Sequence, residues 1–218
     1  MNHYQKICLA MLTLLGMELS ANRSTVSAQS ISVAIQPIFI LNNAGKIDLE
    51  LQPAKSRFGY ILTAELYGGT IKDKPTFSID ENTPSDKLRG AGIGISQKYK
   101  FKDDRSSPYI AYGLTYRYQE IAIETEAFYA YQENGFTYYG YGPVNKNLVI
   151  SSGMASAVFG YQKLEDDFVY DFYFGAGYKT QFKNTDFDGL RSYDRNQYSY
   201  AYKGPLMLVG LKIGFQFR

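Results

Sequence analysis

The sequence predicts an all-β protein, an eight-stranded antiparallel up-and-down transmembrane β-barrel. Three observations carry this. Apolar side chains alternate with small or polar ones along most of the chain after residue 28. The composition suits strands: of 218 residues, 21 are Tyr, 14 Phe and 20 Gly, with no Trp. The apolar face is too bulky to fit inside so narrow a barrel, so it must look outward.

Composition narrows the function classes. Hydrophobic residues make up 45% and charged residues 20%, so the chain is not of the disordered kind. A net charge of +2 excludes nucleic acid as a partner held by bulk charge.

Residues 1–28 read as a signal peptide and residues 29–218 as the β-barrel domain. Lys6 precedes the apolar run Ile7–Met17, which has the length of a signal-peptide core. That run is shorter than the ~20 residues a membrane-spanning helix needs. Val26-Ser27-Ala28 offers small residues for cleavage before Gln29, with Ala21 as a second candidate. Cleavage removes His3 and Cys8, the single His and the single Cys. The mature chain then has no thiol nucleophile, no His-dependent triad and no zinc site of the common kind.

The alternation places the strands near 31–41, 47–52, 58–69, 88–101, 108–131, 147–162, 168–182 and 205–217. In the second, Ile47, Leu49 and Leu51 share one face, with Asp48, Glu50 and Gln52 on the other. In the fourth, Ala91, Ile93, Ile95, Tyr99 and Phe101 oppose Gly90, Gly92, Gly94, Lys98 and Lys100. No helix follows these glycines, so they are small strand residues rather than a phosphate loop. In the fifth, apolar residues move from even positions to odd ones at Ile121 and Ile123, which predicts a β-bulge near Gln119-Glu120. In the seventh and eighth, Phe172, Phe174, Val209 and Leu211 oppose Asp171, Gly175, Gly210 and Lys212. Long connections at 70–87, 132–146 and 183–204 fall at one end, and short turns at 53–57, 102–107 and 163–167 at the other.

The face opposite the apolar one is Gly, Ser, Thr, Ala and scattered charge, which suits a narrow lumen. Its charges are Asp48, Glu50, Glu65, Lys98, Lys100, Arg117, Asp171, Lys179 and Lys212. Mixed signs can pair in a buried interior, so the expectation is a plugged lumen held by ion pairs rather than an open pore. Catalytic, cofactor-binding and metal residues are expected to be none, and cofactors none. At the short-turn edge, Phe58, Tyr60, Phe101, Phe159, Tyr161, Phe168, Tyr170, Phe215 and Phe217 form an expected interfacial girdle. Tyr116, Tyr118 and Tyr178 are candidates for the opposite girdle.

The signal peptide, the alternation and the terminal strand V-G-L-K-I-G-F-Q-F-R resemble the small eight-stranded outer-membrane barrels of Gram-negative bacteria. The chain resembles the OmpA-barrel and OmpX group in this, and small barrel proteins of Bacteroidetes also look similar. The resemblance implies outer-membrane lipid and the barrel-assembly machinery as partners, and a location in the cell outer membrane. That machinery usually reads a terminal aromatic; here Phe217 is penultimate and Arg218 last. Barrel enzymes of this kind rely on a histidine, which the mature chain lacks.

Two further stretches stand apart from the strand pattern. Asn184-Thr185-Asp186-Phe187-Asp188-Gly189 resembles the start of a calcium loop, but the twelfth position is Arg195, so a polar surface loop is the better reading. The loop F-T-Y-Y-G-Y-G at 136–142, with Tyr193, Tyr198, Tyr200 and Tyr202, suits carbohydrate or protein contact. The reading is therefore a non-enzymatic outer-membrane barrel with a closed, charged interior and a role in envelope structure or surface interaction through long extracellular loops. The alternatives are a soluble, secreted lipocalin-like carrier of a small apolar ligand and a histidine-free lipid-modifying membrane enzyme.

Overall fold

A computed structural model describes residues 28–53, 56–72, 85–102, 105–184 and 193–217. The predicted signal peptide lies outside the described residues except for Ala28, where the first strand begins. Eight strands run in order: β1 (Ala28–Ile35), β2 (Ala44–Pro53), β3 (Phe58–Ile71), β4 (Asp86–Lys100), β5 (Ser106–Glu133), β6 (Phe136–Glu165), β7 (Phe168–Asn184) and β8 (Gly204–Phe217). Each pairs antiparallel with its neighbour, and β8 returns to β1, so the sheet closes into a barrel.

Closure depends on stagger. The inward residues Ala34, Asp48, Thr63, Gly94, Thr115, Met154, Lys179 and Gly204 are successive cross-strand partners from β1 round to β8. Back at β1, however, Ala34 faces Gly214 rather than Gly204, ten residues along β8. A shift of that size over eight strands corresponds to a strand tilt of about 40°.

Three expectations are corrected. β1 ends at Ile35 rather than at residue 41. Pro37 has no N–H for a ladder, and a 3-10 helix over Pro37–Asn42 follows it, closed by Asn43 in the left-handed region. The supposed long loop at 132–146 is instead the tip of a hairpin. Asn134 and Gly135 both have positive φ, which suits a two-residue turn of the type that matches strand twist. The Tyr-rich stretch 136–142 is therefore strand, and β6 begins at Phe136 rather than at 147. Tyr and Phe occupy both faces there, so no period-two contrast marked it. The partners of β5 on the β4 side end at Ala122, and β6 pairs with β7 only from Ile150 on. Above those points the ribbon stands as two strands for roughly 35 Å.

The third correction concerns β5. Its pairing with β4 and with β6 runs without a register shift, so there is no bulge at Gln119-Glu120. Ile121 and Ile123 keep the inward phase of Gln119 and are 0% and 3% exposed. What changes at that level is the lumen. Leu88, Ile121, Leu148 and Ile150 pack with Tyr193 and Ala201 into an apolar cap at the long-loop end. The irregularity lies elsewhere, between Ser151 and Ser152 of β6.

Glycines inside the barrel make room for tyrosines. Tyr109 faces Gly160 and Tyr173 faces Gly210 across the ladder. A Cβ at Gly160 would run into the Tyr109 ring, and one at Gly210 into the Tyr173 ring. Each tyrosine thus covers the bare backbone of its partner, a known device for glycine in strands. Gly160→Val is expected to displace Tyr109 and to lower stability by roughly 1–3 kcal/mol, as overpacking does. Urea unfolding in detergent micelles measures it.

Candidate functional site

The inward rows of six strands bring the predicted charges into layers. At the short-turn end, Lys98 Nζ lies 2.9 Å from Glu50 Oε2 and 3.4 Å from Asp171 Oδ2, and Lys100 Nζ lies 3.6 Å from Glu50 Oε1. The Tyr109 hydroxyl donates to Asp171 Oδ1 at 2.6 Å, and Gln162 Nε2 donates to Glu50 Oε2 at 3.2 Å. The Lys98 ammonium also sits 4.1 Å from the Tyr109 ring centroid. One level up, Lys212 Nζ pairs with Asp48 Oδ2 at 2.6 Å. Thr63 Oγ1 and Gln36 Nε2 donate to the same carboxylate at 2.7 and 2.6 Å, and the Tyr173 hydroxyl donates to Gln36 Oε1. Higher still, Arg117 grips Glu65 with two bonds, at 2.6 and 3.0 Å. Lys46 stands 3.5 Å from the same carboxylate, and the Tyr67 hydroxyl donates to it at 2.7 Å.

These contacts explain how so much charge tolerates burial. An isolated buried ion is prohibitively costly, whereas one with an opposite charge and filled hydrogen-bond sites is not. Lys179 departs from the expected pattern. Among the described residues it makes no ion pair; its Nζ donates to the carbonyls of Tyr200 at 2.5 Å and Ser199 at 3.4 Å. Sequence reasoning missed Lys46, although it shares the parity of Asp48 and Glu50. It also missed Gln36, Tyr67, Tyr109, Gln162 and Tyr173. These are neutral groups, and only their place in the folded barrel reveals them as partners of the charges.

The lumen is not filled throughout. A cavity of about 540 Å³ is lined by Thr63, Thr115, Arg117, Ser156, Lys179 and Lys212 among others. The expected plug is thus a layered interior with a cavity in it and an apolar cap at the long-loop end.

On the outside, the predicted girdle residues point away from the lumen, eight of them with large exposed surface and Tyr60 half-buried. Phe168 and Phe215 lie 4.5 Å apart by ring centroids, and Phe101 and Phe159 6.5 Å apart. Tyr99, left out of the predicted set, bridges Phe58 and Phe101 at 5.0 and 5.6 Å. Tyr116, Tyr118 and Tyr178 are also exposed, and Tyr116 stacks on Phe182. Among the described residues, outward ion pairs occur only at the two edges of the closed barrel: Lys163–Glu165 at the short-turn end, and Arg89–Glu120 and Lys87–Glu124 at the other. Between them, the outward rows of the described residues carry no Asp, Glu, Lys or Arg. Gln97 is a polar residue in this row, and its side-chain oxygen accepts from the Tyr112 hydroxyl.

No described helix is long and apolar enough to cross a membrane. Among the described residues, no group of His, Cys, Asp and Glu is arranged to hold a metal ion. Most of the calcium-like stretch, 185–190, lies outside the described residues.

Fold and site together define a class: a small closed β-barrel, polar and charged within, apolar and aromatic without. No protein-family model matches the chain, and no curated protein does. Among solved structures it is similar to a major outer membrane protein from Thermus thermophilus, at 12% identity and a TM-score of 0.45, over 86% of this chain and 98% of that one. It is also similar to Acinetobacter baumannii CarO, at 12% identity and a TM-score of 0.37, over 89% and 99% of the two chains. For CarO2 of the same organism the identity is 12%, the TM-score 0.35 and the coverage 88% and 100%.

Proposed function

We propose that this protein is a non-enzymatic integral barrel of the outer membrane, with a role in envelope structure and surface contact. The single observation that carries the membrane reading is the charge-free outward belt on all eight strands. Exposed Leu62, Ile93, Ile110, Phe172 and Val209 belong to it. In water such a belt would be a large aggregation-prone surface, whereas lipid solvates it. A soluble carrier of a small apolar ligand would need the faces exchanged, with the ion pairs outside. The extended β5–β6 hairpin supports the surface role, because exposed Phe128, Tyr139 and Tyr141 ride on it well above the belt. Rigid amphipathic rings suit carbohydrate or protein contact. Outer-membrane lipid and the barrel-assembly machinery are the partners this reading implies.

Two measurements test it. Detergent-extracted protein is expected to run at different positions on a gel before and after boiling, as a barrel that resists the detergent until heated. It is also expected to aggregate when detergent is removed. A mature chain that stays monodisperse in plain buffer would refute the reading.

A further inference from the structure

β8 pairs with β1 over five positions only, from Ile31–Phe217 to Ile35–Ile213. On its other flank, β7 follows it as far as Gly204. The cause is Pro37, which ends β1 early and turns the chain into the 3-10 helix. Among the described residues, no strand pairs with Gly204–Lys212 on the β1 side. The Met207 N–H donates instead to Gln197 Oε1 at 3.0 Å. Within hydrocarbon, backbone outside a ladder is tolerated where it is buried in protein or lines a cavity.

The 540 Å³ cavity lies against this edge. Its lining includes inward Leu206 and Leu208 together with outward Met207 and Val209. At this edge the lining reaches the outer surface, since Met207 is 72% exposed and Val209 54%. Across the gap, Ile38 and Leu41 of the 3-10 helix also line it, and both are exposed. The mouth therefore has an apolar rim of Ile38, Leu41, Met207 and Val209, with Asn42 and Gln197 beside it. The inner wall is cationic: Lys46, Arg117, Lys179 and Lys212 line it against one lining carboxylate, Asp48. Lys212 is held by Asp48, and Arg117 and Lys46 share Glu65. Lys179 is 5% exposed and bonds to two carbonyls, and no described carboxylate pairs with it.

We infer that the seam between β8 and the 3-10 helix is a lateral doorway for a single-chain amphiphile with an anionic head. The head sits at Lys179, and the acyl chain leaves between Leu41 and Met207 into the bilayer. The volume suits one small ligand. This inference rests on the membrane-spanning reading.

The chain has no Trp, so a single introduced one reports its own surroundings. Met207→Trp places it at the mouth and Ile93→Trp on the outward face of β4, both at exposed positions. The protein is reconstituted in phosphatidylcholine vesicles and titrated with a brominated sixteen-carbon fatty acid, the lysophosphatidate of the same chain, or the uncharged alcohol. The acid, the phosphate ester or both are expected to quench Met207→Trp in a saturable manner and Ile93→Trp only in proportion to the lipid phase. Lys179→Gln is expected to weaken the saturable component roughly tenfold, the worth of one charge-assisted bond. Equal quenching at the two positions overturns the doorway, and equal binding of the alcohol overturns the anionic head. The gel shift on heating, recorded on the same vesicles, separates the failures. Folded protein without preferential quenching sinks the inference alone, whereas protein that never inserts sinks the membrane reading and the inference with it.

Discussion

Leu62→Arg is expected to abolish assembly into membranes. Leu62 sits outward in the middle of β3, flanked across the ladder by Leu49 of β2 and Ile95 of β4, so a guanidinium there meets only apolar neighbours. A basic residue at the bilayer midplane of a barrel costs about 2–4 kcal/mol. That is a large share of the roughly 5–15 kcal/mol typical of folded domains. Ser156→Glu is the comparison. Ser156 lines the cavity that four cationic side chains also line, so a carboxylate there is expected to be tolerated. Membrane fractionation and the heat-dependent gel shift measure both. Loss of assembly in Ser156→Glu with normal assembly in Leu62→Arg would mean that the two faces are exchanged.

Lys98→Met is expected to produce the largest stability loss among lumen variants. Lys98 is fully buried and is the one cation within ion-pair distance of Asp171 among the described residues. Removing it leaves Asp171 with the Tyr109 hydroxyl, and Glu50 with Lys100 and Gln162. Breaking a buried pair from one side costs about 3–5 kcal/mol, because the remaining charge keeps its desolvation penalty. The double variant Lys98→Met with Asp171→Asn is expected to recover much of that loss, since no orphan charge remains at that carboxylate. Urea midpoints in micelles, with the slope unchanged, measure the difference. No recovery in the double variant would show that Lys98 acts through packing on Tyr109 rather than through charge.

Much of the barrel was legible because parity in a strand is local. Ile47, Asp48, Leu49 and Glu50 declare their faces without knowledge of any neighbour, and the predicted facing of these residues matches their burial. Turn chemistry was legible where a polar stretch interrupts the alternation, as at 53–57. It failed at Asn134-Gly135, where tyrosines on both faces hid the strands that the turn joins. It failed again at Ile121, where an apolar lumen was mistaken for a change of phase. Both errors come from treating hydrophobicity as a marker of one face. Above the belt the inside of this barrel is apolar, while its outside carries the ion pairs Arg89–Glu120 and Lys87–Glu124.

The sequence alone determined which residues share a face, that the lumen holds charges of both signs, and that the outward rows are free of charge in their middle. These follow from the two-residue period of a strand and need no contact map. Only the tertiary structure decided which charges meet. Partners such as Glu65 and Arg117, fifty-two positions apart, are set by cross-strand register and by a stagger of ten residues around the ring. It also decided where the wall is incomplete: whether β8 has a neighbour along its whole edge depends on how far a strand at the other end of the chain climbs before Pro37 turns it aside. Register and closure are properties of all eight strands together, and no single segment encodes them.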